Sequence, residues 1–411
     1  MIALIVCGMV ALLVWSLFSE RLRRWHVSAP VAMVVCGIGT GFFFLEQIST
    51  ELDTDVAERV VELILAVLLF VDATVVRGGF LGGERGIVAR LLALALPVSL
   101  ALTILVGVPL LGVSSFTVVL VITLVVIPID FAAAPGFLRD RRIPARLRHP
   151  LAVESGYVDA VRAPIFAFAL VVIEHPEKSH SLLELLEHAL PDIGFAVLIG
   201  VGVGGIAGLL ARASVLRGWV RIERLQLGIV LIPLITYAGA VALHGNGFVA
   251  AFLAGLSYKM TRLRGEEHHR DDALHKELGA VDNLGEISSL LMWFVFGSVT
   301  TLIFFAEVRW SWILFGLLAL TLLRMLPIYL AFLGSRLPFR EQTALGYLGP
   351  RGTSTIVFGL LAFNALSGDD DTAALYVMVV TVLASVVLHS LFGPALMRRL
   401  FRVSRSASPS R

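Results

Sequence analysis

Long apolar stretches alternate with short charged segments along nearly the whole chain. An α-helix needs about 20 predominantly apolar residues to cross the ~30 Å hydrocarbon core of a bilayer. Thirteen stretches, of which the ninth is short, meet or approach this length: 2–18, 29–45, 57–75, 87–110, 115–136, 148–173, 190–211, 224–243, 246–258, 281–305, 311–333, 342–366 and 373–397. The pattern therefore predicts an all-α polytopic membrane protein with about 13 transmembrane helices.

The composition agrees with a membrane location. Of the 411 residues, 57% are hydrophobic and 16% are charged, and the mean hydropathy is +0.89. Soluble domains are about 45–50% apolar and about 25% charged, so soluble domains, a disordered chain and a nucleic-acid binder are all disfavoured. We expect a single transmembrane domain over 1–411 with a short cytoplasmic tail at 398–411. Cys7 and Cys36 lie in apolar runs and suggest neither a disulfide framework nor a metal site.

Basic residues are distributed unevenly between alternate loops. Of the 33 lysines and arginines, 27 lie in loops after odd-numbered spans or in the C-terminal segment. The opposite loops are acidic, at 46–55, 174–192 and 369–371. Because basic loops stay on the cytoplasmic side, we predict an N-terminus outside and a C-terminus in the cytoplasm. The expected location is the bacterial inner membrane.

Proline and glycine interrupt two of the spans. The fifth contains Pro128 and Pro135 around Asp130, and the twelfth contains Gly349-Pro350-Arg351-Gly352. The two spans are seven apart, so repeats related in this way would have opposite topology. Paired interrupted helices mark the central site of many transporters. We therefore predict two inverted six-helix repeats, at about 1–173 and 224–397, whose broken helices cross. The alternative is two ordinary proline kinks in unrelated helices.

Seven charged residues fall within the spans: Asp72, Asp130, Glu154, Asp159, Arg162, Arg324 and Arg351. A charge at the middle of a bilayer costs from ~3 to over ~10 kcal/mol. We therefore expect these side chains to pair inside the helix bundle or to line an aqueous cavity. For Glu154 we expect a structural clamp with Arg324 or Arg351.

Two of the carboxylates are predicted to lie near the middle of the membrane. Asp159 is about eleven residues into the sixth span, which is ~16 Å at 1.5 Å per residue, and Asp130 lies at a similar depth from the other side. Ser155 shares a helix face with Asp159. Such a carboxylate pair, with a hydroxyl and free backbone carbonyls, can hold protons, or hold a hard monovalent cation and release protons. The alternative is a set of structural ion pairs.

Several short motifs occur in the order found in one known family. Asp130 is followed 24 residues later by Glu154-Ser155-Gly156-Tyr157-Val158-Asp159. The remaining motifs are Leu69-Phe70-Val71-Asp72-Ala73, the segment 245–255, Arg324 and Gly349-Pro350-Arg351-Gly352. Together, over about residues 66–360, they resemble the NhaP-type sodium/proton antiporters of the cation/proton antiporter superfamily.

The resemblance implies a homodimer that exchanges sodium for protons, with lithium or potassium as alternative cations. It implies no cofactor, no enzymatic activity and no nucleic-acid partner. Each protomer would combine a dimerisation domain with a mobile six-helix core and would work by elevator-like alternating access, in a role in pH homeostasis.

The resemblance also assigns the site residues. Asp159, Asp130, the Ser155 hydroxyl and the Ile129 carbonyl would bind the cation or protons in competition. Glu154 would be clamped by Arg324 or Arg351, and Asp72 would be a further polar group near the site.

The chain departs from the family pattern at three positions of this site. Ile129 replaces a threonine, Val158 replaces an asparagine, and Arg162 replaces a small or apolar residue. Arg162 would compete with the substrate cation, or would lock Asp159 and leave a transport-inactive or altered-substrate relative that acts as a scaffold or sensor. In a third reading, Arg162 faces another carboxylate such as Asp72 or extends outward. An intramembrane enzyme and a channel are weaker alternatives, since neither a protease-like motif nor a pore-loop repeat occurs.

Overall fold

The computed structural model describes residues 2–24, 27–45, 55–75, 84–127, 129–131, 137, 140, 142–174, 182–264 and 270–401. Within these ranges the chain is helical and contains no strand. The helices are α1 Ile2–Arg24, α2 Ala29–Phe43, α3 Asp55–Val75, α4 Arg85–Leu111, α5 Phe116–Val126, α6 Ala145–Glu174, α7 Leu182–Leu216, α8 Ile222–Ala242, α9 Gly247–Arg262, α10 Arg270–Ile303, α11 Trp310–Ala331, α12 Phe339–Tyr347, α13 Thr353–Ala365, α14 Asp369–Phe392 and α15 Gly393–Leu400.

Each predicted span overlaps one or two of these helices, and the fifth extends past the end of α5. In the described ranges, eight segments are long and apolar enough to cross a membrane by length and composition, and α2, α5 and α13 are shorter apolar helices. The twelfth span is divided between α12 and α13. The fold is that of a multi-pass membrane protein, whereas the count of thirteen crossings stays a prediction.

Local sequence explains where the helices near the interruptions begin and end. The Ser115 hydroxyl accepts a hydrogen bond from the Val118 N–H and caps α5, as serine commonly does at this position. The last helical residue of α5 is Val126, two positions before Pro128. Ile127 keeps helical backbone, and proline has no N–H with which to continue the hydrogen bonds of the helix. Pro128 and residues 132–136, which belong to the predicted interruption, lie outside the described residues.

The helices pack in two groups. One group contains α1, α2 and α3 with α8, α9 and α10, and α7 packs along α9. The other contains α4 and α5 with α11, α13 and α14. The long helix α6 contacts α5 on one side and α3 and α9 on the other. Each group thus combines helices from the first and second halves of the chain, and α6 lies where the groups meet.

Glycines allow the closest helix crossings. A Cβ at Gly37 of α2 would overlap the carbonyl oxygen of Phe294 in α10, and a Cβ at Gly297 would overlap that of Val34. A Cβ at Gly204 of α7 would likewise overlap the carbonyl oxygen of Ala254 in α9. Small residues are typical of contacts between helices inside a membrane. The hydrophobic effect does not drive helix association there, and close packing between helix backbones takes its place.

Candidate functional site

The two interrupted spans cross and are hydrogen-bonded to each other. α12 ends at Tyr347 and α13 begins at Thr353, and the chain between them lies against the segment that follows α5. The Asp130 N–H donates to the Pro350 carbonyl over 2.7 Å. The Asp130 carboxylate accepts from the Ser354 N–H over 2.9 Å. Asp130 therefore caps the N-terminus of α13, where the helix dipole favours a negative charge.

Asp159 lies on α6 beside this crossing and is bound by an arginine of its own helix. Arg162 donates to the Asp159 carboxylate over 2.6 Å, and both side chains are buried, at 2% and 3% exposure. Arg162 also donates to the Leu124 carbonyl over 3.2 Å. The centre of the Phe358 ring lies 3.7 Å from the guanidinium carbon, a cation–π distance. Of the readings of Arg162 that the sequence leaves open, the structure selects the pair with Asp159 and not with Asp72 or outward extension.

Ser155 connects α6 to the interrupted fifth span. Its hydroxyl donates to the Ile129 carbonyl over 2.9 Å, so the hydroxyl and the carbonyl assigned from the family pattern touch each other. The Ile129 side chain is buried at 1% exposure, and so is Val158 at 3%. At both of these departures from the family pattern the structure has an apolar side chain in the packed core.

Several charged side chains lie near Asp159. Asp130 and Asp159 are close enough to interact electrostatically, and Asp72 interacts with both. Arg162 interacts with Asp159 and with Asp130. Carboxylates that lie close together repel each other when all are ionised. The cluster can therefore gain stability by taking up protons or a cation.

Glu154 faces away from this cluster and forms a two-point pair with Arg324. The two distances between guanidinium nitrogens and carboxylate oxygens are 2.5 and 2.9 Å, and the side chains are 1% and 7% exposed. Such bidentate geometry is the strongest form of this pair. The structure thus selects Arg324, and not Arg351, as the partner of Glu154.

Arg351 holds the ends of broken helices instead. Its guanidinium donates to the carbonyls of Val126, Gly349 and Ala319 over 2.6, 2.7 and 3.2 Å. Val126 is the last residue of α5, and the last carbonyls of a helix have no partner within it. A buried cation there also meets the negative end of the helix dipole. Arg351 therefore stabilises the interruption through backbone carbonyls.

Three contacts at the site involve residues to which the sequence had given no role: the Ser354 N–H, the Leu124 carbonyl and the Phe358 ring. The Ser354 hydroxyl is buried and lies near Asp159. The position of Ser354 at the start of a helix after a glycine break is a signal that could have drawn attention to it. The Leu124 carbonyl and the Phe358 ring carry no such signal.

The amino-acid sequence matches a known protein family along almost its entire length. The family described as "Sodium/hydrogen exchanger, transmembrane" matches residues 8–399. The chain belongs to this family. A sodium/hydrogen exchanger is a transporter and not an enzyme, in agreement with the expectation from the sequence.

Solved structures show the same fold at low sequence identity. The sodium proton antiporter MjNhaP1 from Methanocaldococcus jannaschii at pH 8 matches with a TM-score of 0.78 and 17% identity, covering 97% of this chain and 99% of that chain. An electron-microscopy structure of the same antiporter matches with a TM-score of 0.73 and 18% identity, covering 100% of both chains. The resemblance to NhaP-type antiporters is thereby confirmed for family and fold.

Proposed function

We propose that this exchanger is a secondary antiporter that moves a monovalent cation against protons, with sodium as the first candidate and lithium or potassium as alternatives. The observation that carries the proposal is that three carboxylates, Asp159, Asp130 and Asp72, lie close enough to interact electrostatically where the two interrupted spans meet. A cluster of carboxylates can hold either protons or a cation, and competition between the two couples their movements.

The site residues have distinct proposed tasks. Asp159 and Asp130 bind the cation or protons, and Asp72 adds negative charge nearby. The Ser155 hydroxyl and the Ile129 carbonyl offer the oxygen ligands that hard cations prefer, since each oxygen keeps a free lone pair while the two are hydrogen-bonded. Glu154 with Arg324 joins α6 to α11, and Arg351 holds the ends of the broken helices. None of these contacts uses an oxygen assigned to the cation.

Arg162 is proposed to act as a tethered cation. Its bond to Asp159 must open for a substrate cation to bind there, whereas its contacts with the Leu124 carbonyl and the Phe358 ring can persist. Binding is then an exchange of one positive charge for another at Asp159. Removal of the guanidinium should raise the apparent affinity for the cation if the fold is kept.

For the whole protein we propose a homodimer in the inner membrane, with the N-terminus outside and the C-terminus in the cytoplasm. The group of α1–α3 and α8–α10 would form the dimerisation domain. The group of α4–α6 and α11–α14 would form the core that moves in elevator-like alternating access. The mixing of both halves of the chain in each group supports two interleaved inverted repeats at about 1–173 and 224–397.

A second candidate is a transport-inactive or altered-substrate exchanger relative that serves as a membrane scaffold or sensor. The buried pair of Arg162 and Asp159 favours this candidate, because a permanently held arginine would exclude sodium from Asp159. The two candidates differ in whether the pair ever opens.

Reconstitution in liposomes with an internal pH-sensitive dye separates the candidates. Sodium, lithium and potassium gradients are applied in turn to the wild type, Asp159→Asn, Arg162→Ala and the control Arg309→Ala, an exposed arginine. Antiport predicts cation-driven proton movement in the wild type and the control and its loss in Asp159→Asn. A silent wild type with an active Arg162→Ala supports the second candidate. Silence in every variant, with intact folded protein, would overturn the antiport proposal.

A further inference from the structure

A groove of about 240 Å³ opens between α7, α8 and α9, away from the ion site. Small and apolar side chains line it, including Ala207 and Ala211 from α7 and Ile232 from α8. Gly228 of α8 is also in the lining, and a Cβ there would meet no atom within 4 Å. The groove is therefore apolar and roomy enough to receive a chain of methylene groups.

A polar atom without a partner lies at this groove. Tyr258 of α9 lines it and is fully buried, and its hydroxyl has no hydrogen-bond partner among the described residues. Buried polar groups are nearly always satisfied, so this hydroxyl points to an oxygen-bearing ligand at the groove.

Three arginines lie at one end of the groove, in and beside the loop that joins α7 to α8. Val220 of this loop lines the groove, and so does Leu225 in the first turn of α8. Arg217 directly follows α7, Arg221 directly precedes α8, and Arg224 is the residue before Leu225. The arginines therefore lie at the end of the groove that the loop forms.

The surroundings of these arginines fit a membrane–water boundary. All three are exposed, and one exposed carboxylate, Glu223, lies among them. Trp219, at 72% exposure, lies 4.8 Å from the guanidinium carbon of Arg217. Tryptophan is enriched at the headgroup level of membranes. The N-terminus of α8 begins at Ile222, between these arginines, and its free N–H groups also favour an anion.

We propose that the groove binds one anionic phospholipid. An acyl chain occupies the apolar groove, the Tyr258 hydroxyl donates to an ester oxygen, and the phosphate lies between Arg217, Arg221 and Arg224. The combination of an apolar depth with a basic rim matches a lipid with a charged headgroup, whereas a small soluble anion would leave the apolar part empty. This site is independent of the antiport proposal, because it shares no residue with it.

The test uses the intact protein in mild detergent and counts bound lipids by native mass spectrometry, with phosphatidylglycerol and phosphatidylcholine as the two probes. The wild type is expected to retain one phosphatidylglycerol in preference to phosphatidylcholine. Charge removal in Arg217→Gln and in Arg221→Gln should each weaken phosphatidylglycerol binding about fivefold, the effect of about one basic residue near an anionic lipid, and leave phosphatidylcholine unaffected.

A variant whose new side chain fills the groove provides a second test. Gly228→Leu should abolish retention of both lipids. The matched control Gly194→Leu also changes an open helical glycine but lies outside the lining and should bind as the wild type does. Leucine is a better helix former than glycine, so both variants are expected to fold. Equal retention of both lipids by the wild type, or phosphatidylglycerol binding that survives Gly228→Leu, would overturn the proposal.

Discussion

Asp159 and Arg162 place opposite charges three residues apart on one buried helix turn. Removing one partner of a buried ion pair leaves the other charge without compensation, which costs about 3–5 kcal/mol. Replacement of both partners by uncharged residues avoids that cost. The stability of the protein therefore depends on the two residues jointly, and a double-mutant cycle measures the dependence.

The first prediction concerns this cycle. Arg162→Leu should lower the free energy of unfolding by about 3 kcal/mol or more, and Asp159→Asn in the same chain should restore a large part of it. Thermal midpoints of the four proteins in one detergent at pH 7 provide the measurement. If the losses of the two single variants simply add in the double variant, the pair contributes nothing to stability.

The second prediction contrasts a buried pair with an exposed one. Glu154→Gln should destabilise the protein by about 3–5 kcal/mol, because Arg324 stays buried without a counter-charge. Asp369→Asn should change stability by less than about 1 kcal/mol, because its pair with Arg309 is exposed, at 83% and 44%, and water screens it. Thermal unfolding of the two variants side by side tests this difference, and equal losses would contradict it.

At this scale, spacing along the chain identified the charged residues but left their partners open. The sequence predicted that Ser155, Asp159 and Arg162 lie near one another, because one helix contains all three. The sequence could not predict that Glu154 pairs with Arg324 and not with Arg351. Both arginines lie far along the chain, and only the packing shows that Arg351 is already used by three carbonyls.

At the scale of elements, the broken helices depend on residues from each other for their ends. Asp130, in the fifth span, caps α13 of the twelfth, while Arg351, between α12 and α13, binds the last carbonyl of α5. Each interrupted span thus supplies a hydrogen-bonding partner for a helix end of the other span. The sequence predicts the interruptions from proline and glycine, but the reciprocal capping follows from their crossing.

The third prediction separates the capping role of Asp130 from its charge. Asp130→Ala should cost about 1–3 kcal/mol, because the buried Ser354 N–H loses its acceptor. Asp130→Asn should cost less than half as much, because its amide oxygen can still accept that hydrogen bond. Thermal midpoints rank the two variants, with the wild type as reference. Both variants should lose cation-driven proton movement in liposomes if the charge serves transport.

The fourth prediction concerns the crossing of α2 and α10. Gly37→Ala should destabilise the protein by about 1–3 kcal/mol, because the new methyl group forces the helices apart. Gly39→Ala on the same helix meets no atom within 4 Å and should be neutral or stabilising by up to about 1 kcal/mol, since alanine favours a helix over glycine. A comparison of their melting curves decides the point, and equal effects would contradict the close crossing.

On the scale of the whole molecule, charge distribution determines orientation. Basic residues concentrate in alternate loops, and translocation of such loops is disfavoured. The orientation inferred from these loops depends only on the order of the spans along the chain, and accessibility measurements can test it directly.

The fifth prediction concerns the side of the membrane on which two loops can be labelled. In a Cys7→Ser and Cys36→Ser background, a cysteine replacing the exposed Glu307 should react with a membrane-impermeant maleimide from outside intact cells. A cysteine replacing the exposed Arg336 should react only in inside-out vesicles. Labelling of both from the same side would mean that the predicted topology is wrong.

The sequence by itself determined the membrane class, the positions of the helices and the charged residues of the candidate site. These properties are local: an apolar run, a proline or a three-residue spacing acts within one helix. Tertiary structure alone decided that Arg162 binds Asp159 against the Phe358 ring, that Arg324 takes Glu154, and that Asp130 caps α13. Such choices depend on distances between helices that lie far apart in sequence, and periodicity along one helix carries no information about them.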